Sequence, residues 1–172
     1  LNMSMLKYFF DIKNKEENKK LFQNLYIENS DFFEEQGAYP VVYISLKGIK
    51  ADTWESSFFL IKSLISSIYN EFEYIREKLN ESQLDSFNKI WLKKDDGEYR
   101  NALKNLTSFL YEYYKKEVIL LIDEYDSPLI NAYEYGFYDE AVLFFKVFYG
   151  EALKTNPYLR MGIMTGIIRV IK

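Results

Sequence analysis

Val118-Ile119-Leu120-Leu121-Ile122-Asp123-Glu124-Tyr125-Asp126 carries five aliphatic residues straight into an acidic cluster. Flanked on the other side by Lys115-Lys116-Glu117, the aliphatic run predicts a strand buried on both faces. Sheets built from such strands present their ligands at the carboxyl ends. Asp123 and Glu124 stand at that end as adjacent carboxylates. One acid of such a pair can hold Mg²⁺ through water, and the other can orient or deprotonate an attacking water. The plain alternative is that both acids cap a turn at the end of a buried strand.

Upstream, Pro40 precedes Val41-Val42-Tyr43-Ile44-Ser45-Leu46, a β-branched run that predicts a second buried strand, with Gly48 as breaker. Asp52 or Thr53 can cap the helix that follows. In it Trp54, Phe58, Ile61, Ile65, Ile68, Phe72 and Ile75 recur at spacings of four and three. Phe59, Leu60 and Leu64 widen this stripe beyond a coiled-coil seam, so the helix is expected to pack on a core. Further helices are predicted over 82–91 and 98–114, with Asp95-Asp96-Gly97 as a turn. That turn holds calcium-type ligands without a twelve-residue loop and reads as solvated surface.

Downstream, Pro128 is expected to interrupt regular structure, leaving a loop to about Gly136. A helix follows over about 139–153 and breaks at Asn156-Pro157. Residues 159–165 predict a third buried strand ending at Gly166. This strand-like context discounts Gly162-x-x-x-Gly166 as a membrane helix-packing motif. At the amino end, Leu1, Met5, Phe9 and Ile12 share one helical face. Residues 13–20 read as a solvated connection or a helix start. Leu21, Leu25 and Glu28 suggest a short second helix ending near Asn29-Ser30-Asp31. The alternation of helix and strand predicts a parallel sheet with right-handed crossovers and helices on its faces. Three strands are few for so much helix, and one further amino-terminal strand would restore the balance.

Composition narrows the chemistry. The 172 residues fit one domain with a sizeable core. Cysteine and histidine are both absent, which excludes disulfides, thiolate metal sites, histidine-ligated zinc and any Ser-His-Asp triad within the chain. With 26 acidic against 22 basic residues the net charge is −4, which argues against a dedicated nucleic-acid surface. The 16 Tyr, 14 Phe and 2 Trp are expected to fill the core and its rim. No apolar run approaches the roughly 20 residues that cross a bilayer. The first residues lack the apolar run of a secretory signal, so a cytoplasmic location is expected.

Three segments together carry a resemblance: Leu1-Asn2-Met3-Ser4-Met5-Leu6-Lys7-Tyr8-Phe9-Phe10, then Val118 through Pro128, then Met164-Thr165-Gly166-Ile167-Ile168-Arg169-Val170. The chain resembles the AAA-ATPase-like family of prokaryotes, most specifically in Leu121-Ile122-Asp123-Glu124-Tyr125-Asp126-Ser127-Pro128-Leu129 and next in Thr165-Gly166-Ile167-Ile168-Arg169. The resemblance implies a three-layer α/β fold of the P-loop NTPase type, with ATP and Mg²⁺ as cofactors and hydrolysis at the β–γ phosphate bond. Many such proteins continue into a nuclease-like carboxyl-terminal domain of the PD-(D/E)xK type. In the family, the helix matching residues 1–12 follows directly on a Walker A loop ending in Gly-Lys-Thr. No Gly-x-x-x-x-Gly-Lys-Ser/Thr and no Gly-x-Gly-x-x-Gly occurs in these 172 residues, whose seven glycines are scattered. The expectation is therefore one ATPase-like domain over 1–172, lacking its first strand and phosphate loop and with them the main cradle for the β- and γ-phosphates.

Carried over residue by residue, the resemblance makes Val118–Asp123 and Glu124 a Walker B element, with Asp123 associated with Mg²⁺ and nucleotide. Glu124 takes the water-activating role beside the nucleotide. Thr165 matches a sensor-like polar position near the γ-phosphate or the attacking water. Arg169 would pair with phosphate charge or with Asp126. Each has a structural counterpart: Thr165 satisfying local backbone groups, Arg169 an ordinary surface cation, and Asp126 closing the turn before Pro128 through its side-chain oxygen. An alternative to catalysis is a scaffold whose long helix over 54–75 meets a protein partner. That reading requires Trp54, Phe59 and Phe72 not all to lie inside the core.

Overall fold

From Val118 to Ile122 no residue is more than 1% exposed, the burial expected of a strand covered on both faces. The computed structural model describes residues 2–167. In it β1 (Val41–Ser45), β2 (Val118–Asp123) and β3 (Leu159–Met164) form a wholly parallel sheet in the order β1-β2-β3. Val41 to Ser45 pair in sequence with Ile119 to Asp123. On the other edge Ile119 to Ile122 pair with Met161 to Met164, after a register shift between Val118 and Ile119. Parallel neighbours cannot be joined by tight turns, so the long helical stretches between these strands follow from the pairing itself.

Side chains of β2 alternate between two cores of unequal size. Val118, Leu120 and Ile122 join the larger one with Val42 and Ile44. Its other walls are α3 (Trp54–Glu71), α4 (Glu81–Trp91), α5 (Ala102–Tyr114), α6 (Ser127–Tyr135) and α7 (Tyr138–Leu153). Ile119 and Leu121 face the opposite way, onto Met3 of α1 (Asn2–Phe10), with Val41 beside them. Both strand-to-strand connections therefore cover the same face. That is the arrangement right-handed crossovers give when the sheet is built in one direction. The result is a three-layer α/β structure of the P-loop-like kind, as expected.

Several local expectations are corrected. The first helix stops at Phe10, because Asp11 makes a parallel bridge to Tyr39 and Ile12 N donates to Tyr39 O at 2.8 Å. The polar segment beyond it does start a helix, α2 (Lys15–Lys19). No second helix spans 21–28. Leu21 is 58% and Leu25 49% exposed, so the apolar pattern there has no core to meet, and short 3₁₀ turns run over Lys20–Phe22, Tyr26–Asn29 and Asp31–Glu35. Thr53, not Asp52, caps α3, accepting from Ser56 N at 3.2 Å. This helix ends at Glu71, and Ile75 enters the core from a 3₁₀ turn, Glu73–Lys78, instead. A 3₁₀ turn over Asp96–Asn101 likewise precedes α5.

The largest correction follows Asp126, where a loop was expected and α6 begins. Pro128 sits in its first turn, where a missing N–H breaks no intrahelical bond, so this proline starts a helix instead of ending one. Buried phenols are satisfied: Tyr69 donates to Ala102 O and Tyr99 to Ile90 O, each at 2.7 Å. Phe72, just beyond α3, is buried, and Trp54 at the start of α3 packs partly buried against the core. Phe59 is 60% exposed, with the Lys93 ammonium 5.6 Å from its ring centroid. Among the described residues no helix is long and apolar enough to cross a membrane.

Candidate functional site

Strand parity carries the last residue of β2 to the α1 face, since Asp123 follows Ile119 and Leu121 at steps of two. On β1 the register sets Tyr43 opposite Leu121 and Ser45 opposite Asp123. Tyr43 thus reaches Asp123 diagonally, and its Oη donates to Asp123 Oδ2 at 3.2 Å. On β3, Ile163 is opposite Leu121, which brings Thr165 alongside Asp123 two residues later. Its Oγ1 donates to Asp123 Oδ1 at 2.5 Å. Each oxygen of this carboxylate therefore accepts one hydroxyl, from opposite edges of the central strand.

The backbone around the pair is equally tied. Thr165 N donates to Ile122 O at 2.9 Å, Tyr125 N to Thr165 O at 3.0 Å, and Leu46 N to Asp123 O at 3.0 Å. From α1, the Lys7 ammonium lies 5.4 Å from the centroid of the Tyr43 ring. Burial, then the charge of Asp123 and the bond donated to it, push the Tyr43 phenol above its ordinary value of 10.0. Tyr43 therefore stays protonated, and stays a donor, through the neutral range.

Glu124 sits in the left-handed region at φ 51°, a conformation uncommon outside glycine. The reversal lets Ser127 N donate to Glu124 O at 3.1 Å as α6 begins. The Glu124 side chain lines a cleft of about 610 Å³ with Lys50, Asp52, Asn131, Glu134 and Ile167. Asn131 Oδ1 accepts from Ala51 N at 2.8 Å, pinning the segment after β1 to α6.

Asp126, 2% exposed, departs from expectation. Its side chain makes no cap bond to α6. Instead Oδ2 accepts from Ile167 N at 2.7 Å, tying the segment after β3 to the start of α6. That approach depends on Gly166: a Cβ there would lie 2.6 Å from both Asp126 Oδ1 and Tyr125 Cε1. Tyr149 braces the same corner through a 2.8 Å bond to Tyr125 O.

Asp123, Glu124 and Thr165 are thus brought together at the carboxyl ends of β2 and β3. Arg169 lies outside the described residues. Tyr43, Lys50 and Asn131 also belong to this end of the sheet and were not singled out by sequence. The signal for Tyr43 is its even step from Ser45 in a strand that pairs with β2, legible only once the register is known. Among the described residues no three or more His, Cys, Asp or Glu side chains are grouped to hold a metal. Mg²⁺ needs no such group, because one or two carboxylates, water and phosphate oxygens complete its shell, and the oxygen-only donors at Asp123 suit a hard cation.

The family model described as Predicted AAA-ATPase matches residues 1–172. Neither a curated protein nor a solved structure matches the chain. With the family model running from the first residue to the last over this three-layer parallel sheet, the chain belongs to the AAA-ATPase-like family.

Proposed function

We propose that the chain supplies the Walker B and sensor elements of an ATPase that binds ATP with Mg²⁺ and hydrolyses the β–γ phosphate bond. One observation carries the reading: Asp123, held through both oxygens at the tip of the central strand, adjoins Glu124, which turns into the open cleft. When bound, Mg²⁺ neutralises charge on the phosphate oxygens. Asp123 keeps a further lone pair on each oxygen for a metal-bound water. Glu124 orients the attacking water and accepts its proton. Thr165 senses the γ-phosphate side, and Arg169 offers a counter-charge there. The work of such a site is positioning and electrostatics.

The protein is proposed to act in the cytoplasm, with the nuclease-like carboxyl-terminal domain common in the family as a partner. Direct nucleic-acid binding is not assigned to this acidic segment. Burial does not remove the scaffold alternative, because Phe59 is 60% exposed and Trp54 only partly buried, which leaves part of the α3 stripe at the surface.

Two measurements test the proposal. Because these 172 residues hold no Gly-x-x-x-x-Gly-Lys-Ser/Thr, they should bind fluorescent ATP with Mg²⁺ more weakly than micromolar. Micromolar affinity would contradict the need for that cradle. In the full-length protein, Glu124→Gln should retain nucleotide while turnover falls by roughly 10²–10⁴-fold. Unchanged hydrolysis would remove Glu124 from the chemistry.

A further inference from the structure

We propose that Tyr43 is a positioning residue, setting through Asp123 the affinity of the site for Mg²⁺; the inference rests on the ATP and Mg²⁺ reading above. A carboxylate on a single bond to its chain rotates broadly about χ2 unless something holds it. Asp123 is held at two points, Tyr43 Oη on Oδ2 and Thr165 Oγ1 on Oδ1. The donors come from different strands, so the plane of the carboxylate is fixed by the sheet register and not by local loop structure.

Tyr43 is itself firmly placed. Its backbone is paired within β1, and its ring packs partly buried against the α1-side core beneath the Lys7 ammonium. The phenol can reach Asp123 because the ring spans the diagonal between register positions two residues apart. A serine or threonine at position 43 would fall short. Removing the hydroxyl leaves Asp123 held on one oxygen only, free to swing about the Thr165 bond. Groups that orient a metal-binding side chain in this way typically govern affinity or activity by 10–100-fold when lost.

Hydroxyl and metal do not compete for the same electrons. Each carboxylate oxygen offers two acceptor directions, so Asp123 can take Tyr43 and Thr165 while keeping one direction per oxygen for a metal-bound water. Tyr43 does not touch nucleotide in this account, and its effect passes wholly through Asp123. That separates it from a residue that binds phosphate, whose loss would weaken ATP with or without metal.

The test uses the full-length protein and Tyr43→Phe, which keeps the ring, its packing and the Lys7 contact. Hydrolysis is followed against Mg²⁺ concentration at saturating ATP, and ATP binding is measured separately in excess chelator. The expected result is an increase of about tenfold in the Mg²⁺ concentration for half-maximal rate, with metal-free ATP affinity unchanged. Restoring the wild-type rate by raising Mg²⁺ would mark the defect as one of metal affinity. An unchanged Mg²⁺ requirement, or an equal loss of ATP affinity in chelator, would overturn the role given to Tyr43. Wild-type protein lacking Mg²⁺-dependent hydrolysis would instead overturn the ATPase reading and this inference with it, an outcome recognised before the variant is measured. Thermal melting of Tyr43→Phe close to wild type excludes misfolding as the cause.

Discussion

Gly166, beside Thr165, has little freedom to change. Its Cα passes so close to Asp126 and Tyr125 that a methyl group would overlap both at 2.6 Å. Neither neighbour can swing away cheaply, since Asp126 is buried and bonded to Ile167 N, and the Tyr125 ring is packed edge-on against Tyr149 beside the core. Gly166→Ala should therefore destabilise the protein by about 1–3 kcal/mol, as overpacking does. It should also displace Thr165 from Asp123. Urea unfolding gives the first quantity, and a crystal structure of the variant checks the second. At this scale the sequence was legible where chemistry is concentrated in one type of residue. Asp123 and Glu124 stand out as adjacent acids ending an aliphatic run. Tyr43 did not, because one tyrosine among 16 carries no mark of the carboxylate it meets. Asp126 was misjudged for a related reason. Local sequence offers a turn for its side chain to close, whereas the Ile167 N–H that it accepts from is 41 residues away.

β1, β2, α3 and α7 were readable because their patterns are long and answer to a core that exists, whereas β3 forms where expected but as an edge strand with no fully buried residue. Two segments were not. Residues 20–35 show apolar spacing with only Phe22 buried, and α6 hides behind a proline whose meaning depends on whether it falls in the first turn or later. The placing of α6 has a functional side, because Asn131 on that helix bonds Ala51 N and so joins it to the segment following β1. Both join Glu124 in lining the cleft, where this bond makes them one wall. Asn131→Ala should leave the Ala51 N–H without its partner and cost about 1–3 kcal/mol. Faster amide exchange around residues 46–53, with α7 protected as before, would show that the loss acts on that wall alone. Uniformly faster exchange would show that the bond supports the whole fold.

Over the whole molecule, aromatic side chains make stability depend on alkaline pH. Tyr69 and Tyr99 are both fully buried, and burial raises each phenol above the usual 10.0, Tyr99 to about 12. Burial also raises Tyr74 and Tyr149. In the unfolded chain these groups lose their protons near pH 10. A raised folded value means that the stabilisation is complete below that pH and is lost as pH climbs toward the folded value. Denaturant midpoints should thus hold steady from pH 8 to 9.5 and then fall. The slope is about 1.4 kcal/mol per pH unit for each phenol still protonated in the folded protein. A midpoint unchanged at pH 11 would contradict the burial of these rings.

The unequal division of helices between the two faces of the sheet also has a mechanical meaning. Five helices form a thick wall on one side, while the side toward which Asp123 points is roofed chiefly by a single nine-residue helix. Deformation on that side should therefore fall on α1 before it reaches the strands, whose other face is backed by the larger aromatic core.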